Sequence, residues 1–216
     1  MYYNNISNDD DIEIIYWGNE EENNTVNSDK IKKHRKKKDD YDWKKEAMGF
    51  LKIIAIAVVI AFAINNLVII NAKVPSGSME KTIKKHSRMV GFRLSYVFSK
   101  PKSGDIIIFK YPEDESQNFV KRVIATPKDV VEINNGVVYV NGKVINEPYV
   151  YYDDGTPDAD GDFPKTKVPK GCYFVLGDNR NNSKDSRFWV TTHFVKESQI
   201  LGKAIFSYYP SVYMLK

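Results

Sequence analysis

A serine and a lysine in this chain have the residue types and the surroundings that peptide hydrolysis requires. Ser78 lies in the segment Pro75-Ser76-Gly77-Ser78-Met79, and Lys121 lies in Phe119-Val120-Lys121-Arg122-Val123. A serine hydroxyl is a weak nucleophile and needs a base within hydrogen-bond reach. A lysine of ordinary pKa is neutral in well under ~1% of molecules near pH 7, but burial among apolar groups lowers that pKa. The two segments therefore suggest a Ser/Lys hydrolytic dyad.

The neighbours of Lys121 support this interpretation. Side chains alternate along a strand, so Lys121 should share its face with Phe119 and Val123 while Arg122 points the other way. A histidine is the more usual base, but His86, eight residues after Ser78, lacks any recognisable partner motif. The competing interpretation of Lys121 is a surface lysine on an edge strand.

An apolar stretch precedes the serine and would hold it near a membrane. Residues 48–70 are apolar apart from Lys52 and Asn65-Asn66, and a helix needs about 20 such residues to cross a bilayer core. We predict that residues 47–70 form a single transmembrane signal anchor. A buried core helix or a cleaved secretory signal fits less well, because the stretch is long and starts after a polar region.

Charge is distributed unevenly before the predicted anchor. Residues 1–29 contain no Lys or Arg, whereas residues 30–45 contain nine. Such runs bind nucleic acid in some proteins, but this run ends where the apolar stretch begins, so we expect no nucleic-acid partner. The basic flank predicts a plasma-membrane protein with its N-terminus in the cytoplasm and residues 71–216 outside. Residues 1–46 have few apolar positions and are predicted to be a disordered cytoplasmic tail.

The region after the anchor has the pattern of a mainly β domain. Asn135-Gly136 and Asn141-Gly142 separate neighbouring apolar runs, which is a strong hairpin signal. We predict one transmembrane helix followed by an antiparallel β-sheet domain with Greek-key or barrel-like closure. The β-rich runs are residues 105–109, 130–133, 137–140 and 173–176.

A polar, aspartate-rich loop is predicted at residues 150–167. Its spacing partly matches a calcium loop, but Phe163 occupies the position of the required glycine, and Pro169 that of the terminal glutamate. We therefore expect a solvated loop rather than a metal site. The aspartates in question are Asp158, Asp160 and Asp162.

Four ordered segments resemble the sequence boxes of the type I signal peptidases, the bacterial leader peptidases of peptidase family S26. Their order and spacing match, the anchor precedes them, and the resemblance covers residues 48–209; the single anchor is most similar to the Gram-positive form. The segments are Pro75–Met79, Lys102–Phe109, Phe119–Ile124 and Gly177–Arg187.

The resemblance implies a membrane-bound serine endopeptidase that cleaves signal peptides from exported preproteins. In such an enzyme Ser78 would be the nucleophile and Lys121 the general base. The backbone N–H of Ser78 and the hydroxyl of Ser76 would form the oxyanion hole. The partners implied are preprotein signal peptides, cut after small residues, and the lipid bilayer.

Three further residues would support the site in this family. Ser183 would hold the amino group of Lys121 by a hydrogen bond, and Asp185 and Arg187 would form a nearby ion pair. A carboxylate neutralised by arginine would not raise the pKa of the lysine as a free one would. The resemblance implies no metal or nucleotide cofactor. The single cysteine, Cys172, excludes an internal disulfide and is expected to have no chemical role.

The chain departs from the family pattern at three positions. Lys81 replaces the proline of Ser-Met-x-Pro-Thr, and Ala125 and Lys128 replace the two glycines of Gly-x-Pro-Gly-Asp. None of these positions has a catalytic role in the family, so the departures bear on substrate preference and loop geometry.

Lys81 also creates Ser78-Met79-Glu80-Lys81, a Ser-x-x-Lys string of the kind used by penicillin-binding enzymes. The companion Ser-Asp-Asn and Lys-Thr-Gly motifs are missing from the sequence. Self-cleaving repressors also use a Ser/Lys dyad, but the anchor argues against that family. A catalytically inactive, membrane-anchored binding module is a further hypothesis.

Overall fold

The computed structural model describes residues 43–153, 155–157 and 161–216. The predicted disordered tail lies outside these residues except for its last four positions, which already belong to a helix. Asp158 and Asp160 of the aspartate-rich loop also lie outside them.

Helix α1, Trp43–Leu67, corresponds to the predicted anchor. Its 25 residues extend about 37 Å, its most apolar window has a mean hydropathy of 2.6, and the described chain buries none of that window. It is long and apolar enough to cross a membrane. The polar amide of Asn66 is accommodated because its Nδ2 donates to the Phe62 carbonyl oxygen at 2.8 Å.

The helix ends earlier than the sequence predicted. Ile69 and Ile70, which we expected at the end of the anchor, belong to the first strand and pair with Phe92 and Gly91. Ile70 is buried in the domain core, so its apolar side chain serves the β domain and not the membrane.

Twelve strands in the described chain form two sheets. The larger sheet has the order β1-β2-β11-β3-β4-β9-β10, with β12 beside β11, and the smaller one has the order β7-β6-β5-β8. Neighbouring strands pair antiparallel, as predicted. The strands are β1 Ile69–Lys73, β2 Arg88–Phe92, β3 Ile106–Tyr111, β4 Asp114–Ala125, β5 Val130–Asn134, β6 Val137–Val140, β7 Lys143–Val144, β8 Phe163–Lys167, β9 Cys172–Leu176, β10 Val195–Lys196, β11 Ile200–Tyr209 and β12 Tyr213–Met214.

Both predicted hairpins are present. Asn135 and Gly136 have φ of 50° and 74°, and Asn141 and Gly142 have φ of 53° and 76°. Two successive positive φ values are those of a type I′ turn, whose twist suits antiparallel strands. These turns join β5 to β6 and β6 to β7.

The prediction of a loop at residues 150–167 is wrong for its last five residues. Phe163–Lys167 forms β8 and pairs with β5. The sequence of this strand contains one apolar anchor, Phe163, whose ring packs 4.8 Å from that of Phe174. Because one buried aromatic side chain and backbone pairing hold this strand, its sequence does not show the alternation of apolar residues from which strands are predicted.

Strand β3 organises the core on both sides of the larger sheet. Ile106 and Ile108 face one apolar cluster, and Ile107 and Phe109 face another. Side chains alternate along a strand, so covering both faces requires an unbroken apolar run. This buried strand supports β4, with Ile107 directly opposite Lys121.

Candidate active site

The structure brings Ser78 and Lys121 together in a nearly closed environment. Ser78 lies in a turn five residues after β1, and Lys121 lies on β4. The Lys121 Nζ is 2.5 Å from the Ser78 Oγ. Their exposed fractions are only 3% for Lys121 and 6% for Ser78. A hydroxyl and an amine at this distance can exchange a proton directly.

Burial is the main influence on the amino group of Lys121. Loss of hydration disfavours the ammonium form and lowers the pKa of Lys121 to about 8. The Asp185 and Asp178 carboxylates oppose this shift, and the Arg187 guanidinium favours it. Near pH 7 this pKa leaves roughly 10% of the amine neutral, compared with well under ~1% for an ordinary lysine.

Strand alternation separates Lys121 from its neighbour Arg122, as predicted. The Lys121 Nζ lies 5.7 Å from the centre of the Phe119 ring. Arg122 turns to the other face, where its Nη2 lies 2.7 Å from the Asp178 Oδ2 in a fully buried ion pair. Thr82 Oγ1 donates to the same oxygen at 2.5 Å. The pairing with Arg122 keeps the Asp178 charge from being free beside Lys121.

The expected ion pair between Asp185 and Arg187 is formed. Arg187 Nε and Nη2 contact Asp185 Oδ1 and Oδ2 at 2.8 and 2.9 Å. The Gly177 N–H donates to Asp185 Oδ2 at 3.0 Å, and Arg187 Nη2 also donates to the Arg180 carbonyl oxygen. A bidentate ion pair of this kind fixes the orientation of both side chains, and its further hydrogen bonds hold the segment after β9 beside the site.

Ser183 does not make the hydrogen bond that the resemblance implied. Among the residues that the structure describes, its buried Oγ has no hydrogen-bond partner. The hydroxyl lies against Gly177, and a Cβ at that glycine would meet both Ser183 Oγ and, at 2.5 Å, the Ser78 carbonyl oxygen. Ser183 is thus beside the nucleophile turn, but in this state Lys121 bonds to Ser78.

Ser76 lies on the solvent side of the same turn. It is exposed, and its Oγ donates to the Ser78 Oγ across a long 3.4 Å. The Ser76 hydroxyl therefore lies beside the Ser78 Oγ and stays open to solvent.

Known proteins are similar in sequence to this chain over most of its length. Residues 47–209 match the family described as signal peptidase, peptidase S26. The chain belongs to this family. It is 38% identical over 168 residues to a probable signal peptidase I-1 of Synechocystis, covering 74% of this chain and 82% of the relative. It is 36% identical over 180 residues to signal peptidase IB of Staphylococcus aureus, covering 77% and 92%.

A solved structure of a signal peptidase I from Enterococcus faecalis is also similar, with 34% identity and a TM-score of 0.40. The match covers 49% of this chain and 97% of that one.

This family member is a signal-peptide-cleaving serine peptidase of the signal peptidase I type. Its apolar helix α1 and its relatives together indicate a membrane-anchored protein. These relatives do not favour the hypotheses of a penicillin-binding enzyme or an inactive binding module.

The position of Lys81 gives a separate reason against a penicillin-binding enzyme. Lys81 is exposed, and its Nζ lies 4.6 Å from the centre of the Tyr151 ring. Its φ is 40°, whereas proline fixes φ near −65°. A proline could not adopt this backbone, so the departure from the family pattern goes with a different conformation of the turn after Ser78. Lys121, not Lys81, is the lysine that contacts Ser78.

Sequence reasoning missed Asn179, which holds the turn of Ser78 in this signal peptidase. The Asn179 N–H donates to the Ser78 carbonyl oxygen at 3.1 Å, and Asn179 Nδ2 donates to the Gly77 carbonyl oxygen at 3.2 Å. Asn179 was within the fourth box, but no role followed from its residue type. A hydrogen bond between residues about 100 positions apart has no local sequence signal.

The described residues contain no group of three or more His, Cys, Asp or Glu side chains arranged to hold a metal ion. Asp162, the described member of the aspartate series, accepts a hydrogen bond from the Gly136 N–H at 3.2 Å. Cys172 is half-buried, and burial raises the pKa of its thiol.

Proposed function

We propose that Ser78 is the nucleophile and Lys121 the general base of signal-peptide cleavage. The observation that carries this proposal is the 2.5 Å separation of Lys121 Nζ and Ser78 Oγ in a site where burial lowers the pKa of Lys121 to about 8. The neutral amine would accept the Ser78 proton as Oγ attacks the carbonyl carbon of the scissile peptide bond.

The first step would produce a tetrahedral oxyanion. The Ser78 N–H and the Ser76 hydroxyl are the proposed donors, and loss of one such donor typically costs about 10²–10³ in rate. The Lys121 ammonium would then give its proton to the leaving nitrogen, which becomes the N-terminus of the mature protein. Lys121 would next take a proton from a water that attacks the Ser78 ester, and it would give that proton to Ser78 Oγ as the ester C–O bond breaks and the signal peptide is released.

Ser183, Asp185 and Arg187 are proposed to support this cycle. Once Ser78 is acylated, its Oγ no longer serves as a partner for Lys121. The buried Ser183 hydroxyl beside the nucleophile turn would then hold the amine. The Asp185–Arg187 pair would limit the extent to which the carboxylate raises the pKa of Lys121.

Two open strand edges suggest how the preprotein docks. β1 is the edge strand of the larger sheet and leads into the turn of Ser78. β4 pairs with β9 only from Arg122 to Ala125, so its stretch up to Lys121 has one edge without a described partner strand. An extended peptide would add its backbone to these edges, with its scissile bond at the dyad.

We also propose that the β domain lies outside the plasma membrane with the N-terminus in the cytoplasm. The basic residues 30–45 before α1 support this orientation. Ser78 follows Leu67 by eleven residues, a reach of at most about 38 Å. The dyad would therefore stay near the outer bilayer surface, where the cleavage segment of a preprotein emerges.

The decisive experiment incubates the purified full chain in detergent with a preprotein and measures the appearance of mature protein. Ser78→Ala and Lys121→Ala should each lower the cleavage rate by at least about 10³-fold. Lys81→Ala is the matched control, because it removes a lysine near Ser78 but outside the dyad, and it should retain most activity. Normal cleavage by either dyad variant would contradict the assignment, and loss only in Lys81→Ala would favour the Ser-x-x-Lys mechanism.

A further inference from the structure

A cleft separate from the dyad has an unusual lining. It lies where residues 100–103, the turn at 126–128 and residues 170–173 meet, and its volume is about 570 Å³. None of the described residues that line it is acidic. Its lysines are Lys100, Lys102, Lys128 and Lys170.

A buried tyrosine in the same cleft lacks a partner. Tyr173 is 0% exposed, lines the cleft, and its hydroxyl has no hydrogen-bond partner among the described residues. Buried polar groups are nearly always paired, so this hydroxyl is available to donate a hydrogen bond to a ligand in the cleft. Lysine ammonium groups only donate, and they cannot accept that hydrogen bond.

Lys128 adds a cation to this cleft at a position with an unfavourable backbone conformation. Its φ is 77°, in the region that favours glycine, and the family pattern has glycine there. Lys100 does have an acidic neighbour, since its Nζ lies 3.3 Å from the Glu197 Oε2. The side chains of that pair are 73% and 45% exposed, and pairs open to solvent are weak.

The chain places this cleft close to the membrane end of the domain. The Arg93 N–H donates to the carbonyl oxygen of Val68, the residue after the last of α1, at 2.8 Å. From Arg93 the chain passes through Phe98, which is 95% exposed, and reaches Lys100 within at most about 25 Å. Exposed apolar side chains followed by lysines match the boundary between acyl chains and headgroups.

We propose that this cleft binds a phosphate group, with the lysines contacting its oxygens and the Tyr173 hydroxyl donating one hydrogen bond. The source that the position favours is the headgroup of an anionic phospholipid. The site would hold the domain against the bilayer independently of the peptidase chemistry.

The test titrates the purified full chain in neutral detergent, at fixed ionic strength and without preprotein, by isothermal titration calorimetry. The probes are dihexanoyl phosphatidylglycerol, glycerol phosphate and dihexanoylglycerol, which lacks phosphate. Tyr173→Phe should weaken phosphatidylglycerol binding by at least about tenfold, the loss expected for one hydrogen bond to a charged group. The double variant Lys102→Gln/Lys170→Gln should weaken it further.

The matched control is Lys143→Gln/Lys165→Gln, which removes the same charge from exposed positions outside the cleft and should bind as the wild type does. Equal loss in this control, unchanged affinity in Tyr173→Phe, or equal binding of dihexanoylglycerol would overturn the proposal. Tighter binding of phosphatidylglycerol than of glycerol phosphate would support the lipid as source, whereas equal binding of the two would support a phosphate site for soluble ligands. Retained preprotein cleavage by the cleft variants would verify that they fold.

Discussion

Two opposing influences act on the amino group of Lys121. Burial removes hydration from the ammonium form, whereas Asp185 and Asp178 stabilise that form. Burial is the larger influence, and Arg187, which holds the Asp185 carboxylate in an ion pair, acts in the same direction, so the pKa falls to about 8. The pKa of Lys121 therefore depends on its burial and on the Asp185–Arg187 pair beside it.

This pKa predicts the pH dependence of cleavage. If the neutral amine is the base, kcat/KM should rise about tenfold per pH unit below pH 8 and level off above it. A pH–rate profile of the full chain with a soluble preprotein would measure this. A profile that is flat between about pH 6 and 9 would contradict a lysine base in this site.

The same pKa has a consequence for stability. Between pH 8 and the ordinary lysine pKa of 10.5, the unfolded state holds a proton on Lys121 and the folded state does not, so stability from this group rises with pH. Below pH 8 the buried ammonium costs about 3 kcal/mol. Lys121→Met should therefore raise the free energy of unfolding at pH 7, with a difference that shrinks towards pH 10.5.

Urea unfolding of the wild type and Lys121→Met at several pH values would measure this difference. Lys143→Met, at an exposed strand position, is the control and should show little pH-dependent change. A Lys121→Met protein that is less stable than the wild type at pH 7 would contradict the prediction that the buried ammonium of Lys121 destabilises the folded state.

The sequence indicated two site residues through their surroundings: a serine shortly after a membrane-spanning stretch and a lysine within an apolar strand. Local signals suggested Ser78 and Lys121, and the resemblance of four ordered segments to a known family decided in favour of pairing them. Asn179 acts through backbone contacts made across the fold, which leave no local pattern. The Ser183 contact with Lys121 stays a prediction: in this structure Lys121 bonds to Ser78, and the Ser183 hydroxyl has no partner among the described residues.

At the scale of elements, the turn between β4 and β5 combines a glycine-like backbone with a lysine. The Asp129 N–H donates to the Thr126 carbonyl oxygen at 3.1 Å, Pro127 is the second residue, and Lys128 is the third with φ of 77°. This is the arrangement of a type II turn, whose third position favours glycine.

Replacing that lysine should therefore stabilise the domain. Lys128→Gly should raise the free energy of unfolding by about 1 kcal/mol, because it relieves the left-handed conformation of a residue with a Cβ. Thermal or urea unfolding would measure it, with Lys143→Gly as a control that should destabilise strand β7. A destabilised Lys128→Gly protein would mean that the lysine side chain contributes more than its backbone costs.

The strands that sequence predicted were those with unbroken or alternating apolar residues. Four of the expected runs became β3, β5, β6 and β9. Strand β11 was missed even though it joins β2 to β3. Its Gly202 allows close approach, since a Cβ there would lie 2.5 Å from the Phe92 carbonyl oxygen, and such glycines interrupt the apolar pattern.

At the scale of the whole molecule, the anchor and the site lie on one continuous path of chain. α1 ends at Leu67, β1 begins at Ile69, and the same strand leads into the turn of Ser78. The proposed docking edge, Ser78 and the end of the apolar helix are therefore linked without a long flexible connection. A substrate that is itself held in the membrane would meet the dyad at a restricted height above the bilayer.

The proposed orientation predicts which parts of the chain can be labelled from outside the cell. In a Cys172→Ser background, Lys143→Cys places a thiol on exposed strand β7, and Asn24→Cys places one before the basic run. A membrane-impermeant maleimide applied to intact protoplasts should label the first variant and not the second, because nine cations in residues 30–45 favour the cytoplasmic side. Detergent permeabilisation should expose both thiols, which controls for reactivity. Labelling of Asn24→Cys alone in intact protoplasts would reverse the orientation and separate the dyad from the outer face at which exported preproteins arrive.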